Sequence, residues 1–174
     1  MMRILISEDE IQRKVTSLAS EIDQYLEREN FREEPVFVCV LTGSIFFFSE
    51  LVRNLKNDVI TEYIKVSSYQ GKSSTQNIKI LKDISIDITN RVVFVIEDII
   101  DTGLTLNKII SLFRERNPQK ILVCTLLDKP SKRLVEVKVD FCGFVIPPEF
   151  VVGYGLDYNE KFRNKPYIYV IEEE

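Results

Sequence analysis

An α/β fold with a mainly parallel central sheet is predicted by three observations. The uncharged runs Val36–Leu41, Val92–Ile96 and Ile121–Leu127 read as strands covered on both faces. Stretches with apolar residues at i, i+3 and i+4 separate them and read as amphipathic helices. The two patterns alternate along the chain, as βα units do.

Each element has a local reason. Ser7, Glu8, Asp9 and Glu10 read as a capping box with acids in the first helical turn. Ile11, Val15, Leu18, Ile22 and Leu26 follow at helical spacing and predict a long helix. Pro35 closes the polar connection, and Thr42-Gly43-Ser44 breaks the next strand. Ile45 to Leu55 reads as a helix whose Phe46-Phe47-Phe48 run makes it apolar nearly all round, either as deep core or as a subunit interface. Ile60 to Ser68 is β-rich and leads into a polar stretch over 69–76 that is either a surface loop or a mobile lid. Composition alone favours the loop. Ile78–Leu81 resumes strand character. Leu106, Ile109, Ile110 and Phe113 form a helical stripe; Arg114 and Arg116 suit its negative end, and Asn117-Pro118 stops it. Val135, Val137 and Val139 alternate with charged residues and predict a half-exposed strand.

Composition narrows the function classes. A chain of 174 residues with 45% hydrophobic and 29% charged content suits a single domain over 1–174 with a sizeable core. The net charge of −4 is spread without a basic stripe, which speaks against nucleic acid as a partner. No uncharged run approaches the ~20 residues of a membrane helix, and the apolar run after Met1 is too short for a signal peptide. Cys39, Cys124 and Cys142 fit no metal spacing and read as reduced, buried thiols of a cytoplasmic protein. Histidine is absent, which excludes Ser-His-Asp and Cys-His catalysis. Acid–base work falls to Asp, Glu, Lys or Tyr.

The stretch VVFVIEDIIDTGLTL, 92–106, carries the most chemistry. Ligands of such sheets bind where strand carboxyl ends meet helix N-termini. Glu97 and Asp98 would stand at that edge, and Thr102 to Thr105 would open the next helix, where backbone N–H groups and the Thr102 and Thr105 hydroxyls can cradle a phosphate. The bland alternative is that Thr102 or Thr105 only caps the helix.

This stretch resembles the phosphoribosyl-pyrophosphate signature of the type I phosphoribosyltransferases. LTGS at 41–44, SSY at 67–69, KILKD at 79–83, LLDKP at 126–130 and EFVVGYGLDYNEKFRN at 149–164 follow in order. Together they resemble the hypoxanthine-guanine phosphoribosyltransferases from Val36 onward. The resemblance implies a type I phosphoribosyltransferase-like α/β fold, with a small hood built from the terminal segments. It implies transfer of 5-phosphoribosyl from 5-phosphoribosyl 1-diphosphate to N9 of hypoxanthine or guanine, giving IMP or GMP and diphosphate. It implies Mg²⁺ as cofactor and a homodimer or homotetramer. The preference among hypoxanthine, guanine and xanthine lies below the level of motifs.

Residue roles follow from the same resemblance. Glu97 and Asp98 serve the ribose and the metal, and Asp101, Thr102, Gly103, Leu104 and Thr105 hold the 5′-phosphate. Asp101 is the catalytic residue that handles a purine-ring proton; its bland alternative is a helix N-terminal acid. Thr42 and Gly43, in a loop that in the family often holds a cis peptide, bind diphosphate together with Arg163. The family usually carries a basic residue where Thr42 stands, so backbone contacts remain while a side-chain charge is gone. Lys129, Phe150, Val151 and Asp157 bind the purine, Asp157 also standing near a second Mg²⁺. Ser68 and Tyr69 begin a closing lid, which reverses the compositional preference for a plain loop.

Two rival classes fit less well. A regulator keeping this fold to bind nucleic acid would need a basic surface and no base pocket. A receiver domain also has an acidic pair and a Lys-Pro. One helix and one strand separate Asp98 from Lys129 here, so its element order fails.

Overall fold

The computed structural model describes residues 2–69 and 77–171. After β1 (Met2–Ile6) comes α1 (Glu8–Glu29). Ser7 and Glu10 form the expected reciprocal box: Glu10 N donates to Ser7 Oγ at 3.3 Å and Ser7 N to Glu10 Oε2 at 2.8 Å. Asn30 ends the helix in the left-handed region at φ 47°. Then follow β2 (Val36–Leu41), α2 (Ile45–Asn54), β3 (Ile60–Tyr69), β4 (Asn77–Lys82), β5 (Val92–Ile100), α3 (Leu104–Arg114) and β6 (Lys120–Asp128). A 3₁₀ turn (Pro130–Lys132), β7 (Phe141–Val145), β8 (Val151–Val152) and β9 (Ile168–Ile171) complete the described elements.

The larger sheet has the order β4-β3-β2-β5-β6-β7, parallel except for the antiparallel β3–β4 pair. Strand alternation divides its core. Phe37, Cys39, Phe94 and Ile96 pack on one face with α1 and α2. Val36, Val38, Val93 and Val95 pack on the other with Leu106, Ile109 and Phe113 of α3. Each such large side chain contributes ~1.5–3 kcal/mol on burial. Coverage of both faces is why β2 and β5 are unbroken apolar runs. Buried Asp23 on α1 accepts from Lys56 N at 2.9 Å and Asn57 Nδ2 at 2.8 Å, tying the α2–β3 turn to the helix.

The chain leaves β2 toward one face and the adjacent β5 toward the other, so their following loops diverge. That divergence makes a crevice at the carboxyl edge. A separate antiparallel sheet, β1-β9-β8, is the hood expected from the terminal segments. It brings Phe150 and Val151 toward the crevice.

Two expectations are corrected, and the bland alternative for the loop after β5 is not met. The strand expected to stop at Ile96 runs to Ile100, because β6 continues alongside and Glu97, Ile99 and Ile100 stay in register with Thr125, Leu127 and Asp128. A backbone ladder is indifferent to side-chain charge. Val135, Val137 and Val139 form no strand. Their burial alternates, but Leu134 N and Val135 N both donate to Thr102 O, so the segment lies over the start of α3 instead of along a partner strand. Neither Thr102 nor Thr105 is the N-cap of α3; Gly103 is, at φ 81°. The lid expected after Ser68 and Tyr69 falls on residues 70–76, outside the described residues.

Candidate active site

Glu97 and Asp98 stand within β5 at the crevice floor, with only 7% and 9% of their surface exposed. Ser44, the first residue past the β2 loop, joins them. Its hydroxyl donates to Glu97 Oε1 at 2.9 Å and accepts from Asp98 N at 2.9 Å. Asp98 Oδ1 accepts from Ile99 N at 2.7 Å. Burial and then the Asp98 charge hold Glu97 well above the usual carboxylate range. Burial raises Asp98 too, against hydrogen bonds and the Arg163 charge that favour its ionised form. The same burial and the two acids push Cys39, one strand away, up to about 12. That thiol is chemically quiet at neutral pH.

Past the acids, β5 gives way to Asp101-Thr102-Gly103, which lines a cavity of ≈ 180 Å³ together with Thr105. The positive φ of Gly103 turns the backbone into α3, whose first N–H groups have no intrahelical partner. Thr102 Oγ1 accepts from Leu104 N at 3.3 Å. The loop's carbonyls are occupied from behind. Arg133 Nη1 donates to Asp101 O at 2.9 Å, and Leu134 N donates to Thr102 O at 2.9 Å. Arg133 is itself paired with Asp128. Carbonyls held outward leave the N–H groups for an anion.

A larger cavity of ≈ 530 Å³ adjoins this loop. At one end Lys129, 5% exposed, enters from the end of β6, and its Nζ lies 3.3 Å from Asp101 Oδ1. Phe150 is 46% exposed, a high value for a ring of its size, and its edge contact with Tyr158 at 5.7 Å leaves a face open. Val151 is buried in β8. Asp157 lines the same space. At the other end the Leu41–Thr42 peptide is cis, and Thr42 and Gly43 form the wall. Arg163 donates to Gly155 O at 2.8 Å and pairs with Asp157 at 3.0 Å and Glu160 at 3.3 Å.

Gly43 has a steric reason to be glycine. A Cβ there would lie 1.8 Å from Asp98 Oδ2, while the Gly43 carbonyl would lie 2.0 Å from a Cβ on Gly155. Gly43→Ala is expected to cost ~1–3 kcal/mol by overpacking. For a chain of this size that lowers Tm by roughly 2–4 °C per kcal/mol. An unchanged melting curve would show that the buried Asp98 carboxylate yields without cost.

The residues singled out in the sequence therefore converge, except that nothing is described of the Ser68 and Tyr69 side chains. The sequence reading missed Ser44, Arg133, Asp128, Gly155 and Lys65, which also lines the larger cavity. Ser44 was legible as the residue after a strand-breaking glycine. The others act through pairings that no linear pattern marks.

Comparison with known proteins agrees with this geometry. Residues 7–159 match the phosphoribosyl transferase domain family. The hypoxanthine-guanine phosphoribosyltransferase of Bacillus subtilis is 43% identical over 171 residues, covering 98% of this chain and 93% of the relative. The hypoxanthine-guanine-xanthine phosphoribosyltransferase of Tritrichomonas foetus is 41% identical over 172 residues, covering 98% and 92%. A crystal structure of a Bacillus anthracis hypoxanthine-guanine phosphoribosyltransferase superposes with a TM-score of 0.90 at 44% identity, covering 98% of each chain. With buried acids, an anion loop and a lysine-ended cavity on the type I fold, this chain is an enzyme of the phosphoribosyltransferase family, in its hypoxanthine-guanine branch.

Proposed function

We propose that the protein transfers 5-phosphoribosyl from 5-phosphoribosyl 1-diphosphate to N9 of hypoxanthine or guanine, giving IMP or GMP and diphosphate. The observation that carries this reading is the one cavity lined by Lys129, Phe150, Thr42, Gly43 and Arg163, with Asp101 beside Lys129 and Asp98 beside Gly43. Its ≈ 530 Å³ lies in the range of small-molecule sites and leaves room for a base, a ribose and a diphosphate. In this reading Phe150 stacks on the base, Val151 offers its backbone to the base edge, and Lys129 donates to the 6-oxo oxygen. Asp98 and Glu97 address the ribose hydroxyls, and the Asp101–Thr105 loop holds the 5′-phosphate by N–H groups. Asp101 takes or gives a proton at the purine ring, most directly at N7. Thr42, Gly43 and Arg163 face the diphosphate. Ser68 and Tyr69 begin the lid that closes over it and excludes water.

The residues present fit Mg²⁺. Their donors are all oxygen, and Asp98 Oδ2 sits in the space beside Gly43 where a Cβ would otherwise go. Among the described residues no three or more His, Cys, Asp or Glu side chains converge. A magnesium ion held by one or two carboxylates takes its remaining ligands from water and substrate phosphates. Glu97 and Asp98 are the residues that would hold one such ion and Asp157 would stand near a second; when bound, the metal would neutralise charge on the departing diphosphate. Excess chelator is expected to abolish product formation without changing the melting curve, and added Mg²⁺ to restore it. Full activity in chelator would overturn the metal assignment. Product formation from the donor with each purine, with and without Mg²⁺, tests the reaction itself.

Ile45 and Phe46 at the start of α2 are 41% and 43% exposed, which supports a homodimer or homotetramer that covers them. Sedimentation reads that assembly. No described helix is long and apolar enough to cross a membrane. The unpaired thiols Cys39, Cys124 and Cys142 support a reducing, cytoplasmic setting.

A further inference from the structure

The larger cavity presents three cations, Lys65, Lys129 and Arg163, against three carboxylates, Asp98, Asp101 and Asp157. Two of the cations are already engaged. Lys129 faces Asp101 at 3.3 Å, and Arg163 holds Asp157 at 3.0 Å and Glu160 at 3.3 Å. Among the described residues no carboxylate pairs with Lys65.

Its place in the sheet is specific. Lys65 is in parallel register with Leu41, so it stands beside the Thr42–Gly43 loop at the carboxyl edge. Thr42 offers that end of the cavity a hydroxyl and backbone, but no charge. On its other side Lys65 is directly opposite Lys82 in the antiparallel β3–β4 ladder. Like charges placed directly opposite are unfavourable. Lys82 points its ammonium at Tyr63 O, 3.0 Å, and Asp83 O, 3.1 Å. Lys65 is exposed, and among the described residues its ammonium makes no ion pair, so it is free to meet an anion in the cavity.

We propose that Lys65 is a diphosphate-binding residue, its ammonium pairing with the diphosphate end of the donor beside Thr42 and Gly43. The proposal rests on the phosphoribosyl-transfer reading. In that reaction the bond between ribose C1 and a diphosphate oxygen breaks, its electron pair leaves on the diphosphate, and the N9–C1 bond forms as the purine's ring proton passes to Asp101. Negative charge thus grows on the leaving group, where a cation already in place stabilises the transition state more than the ground state. Lys65 supplies that cation without first giving up a carboxylate, unlike Arg163.

The test compares Lys65→Met, Lys65→Arg and Lys138→Met with the wild type. Lys138 is an exposed lysine, with 84% of its side chain in solvent, and serves as the charge control. Calorimetric titration in Mg²⁺ uses two probes, inorganic diphosphate and IMP, which occupy opposite ends of the site. Lys65→Met should weaken diphosphate binding about tenfold, the scale of a lost charge-assisted contact. IMP binding should be unchanged. Lys65→Arg should recover most of the loss, and Lys138→Met should match the wild type. In steady state Lys65→Met should raise KM for the donor and lower kcat, leaving KM for hypoxanthine alone. Wild-type diphosphate affinity in Lys65→Met would overturn the proposal, as would equal weakening for both probes. A wild-type protein that bound neither probe would instead overturn the reaction on which it rests.

Discussion

Adenine is expected to be used about 10⁴-fold less efficiently than hypoxanthine in kcat/KM, because of one lysine. Lys129 is 5% exposed, and its ammonium faces Asp101 across 3.3 Å at the end of the cavity. An ammonium has three donors and no acceptor. In the proposed binding mode the 6-oxo oxygen of hypoxanthine or guanine would complete its hydrogen bonding. Adenine puts an amino donor at that place, so two donors face each other and a buried charge loses its ligand partner. An unpaired buried polar group costs ~1–3 kcal/mol, and more when charged. Stacking on Phe150 does not compensate, because every purine offers it a similar face. Parallel assays at saturating donor and Mg²⁺ measure the ratio. Adenine within about tenfold of hypoxanthine, far short of that discrimination, would remove Lys129 from the 6-position.

Asp101→Asn is expected to lower turnover by about 10²-fold or more while keeping the fold and donor binding, the scale of lost general acid–base help. The competing role, an acid that merely caps α3, has little support in the structure. Gly103 occupies the cap, Leu104 N donates to Thr102 Oγ1 and not to Asp101, and the Asp101 carboxylate is directed to Lys129 instead. The backbone of Asp101 is held separately, its carbonyl accepting from Arg133. An Asn is nearly the same size and disturbs that support little, so Tm should hardly move. The variant removes the carboxylate that can carry the proton. Near-normal kcat would show that the proton is handled elsewhere.

Much of the site was legible because its parts lie on short contiguous motifs. Glu97, Asp98 and the Asp101–Thr105 loop come from one β5–α3 segment, where a buried apolar run, acids, glycine and an amphipathic stripe follow in order. Lys129, Phe150 and Arg163 were legible only through resemblance, since alone they read as a surface lysine, a core aromatic and a surface arginine. Their burial and orientation are decided by chain segments far away. Lys129 is fixed by the β5–β6 ladder, Phe150 by a hood that joins both ends of the described chain, and Arg163 by Gly155.

The errors have a common cause. Charged residues predict an end to β5, and valine alternation predicts a strand over 135–139, because side-chain patterns report burial and not hydrogen-bond partners. A ladder continues as long as a neighbouring backbone is there to receive it, as β6 is for Ile99 and Ile100. Alternating burial without such a neighbour leaves an extended segment on a helix. By itself the sequence determined the periodicities, the switch between strand and helix, and the acids and anion loop of a single βα unit. The tertiary structure alone decided that Ser44 would bond both buried acids, that Gly43 must lack a Cβ, and that Lys65 would line the cavity with no carboxylate among the described residues paired to it. Those outcomes depend on which strands lie side by side at the crevice, and the local forces along one segment do not encode that adjacency.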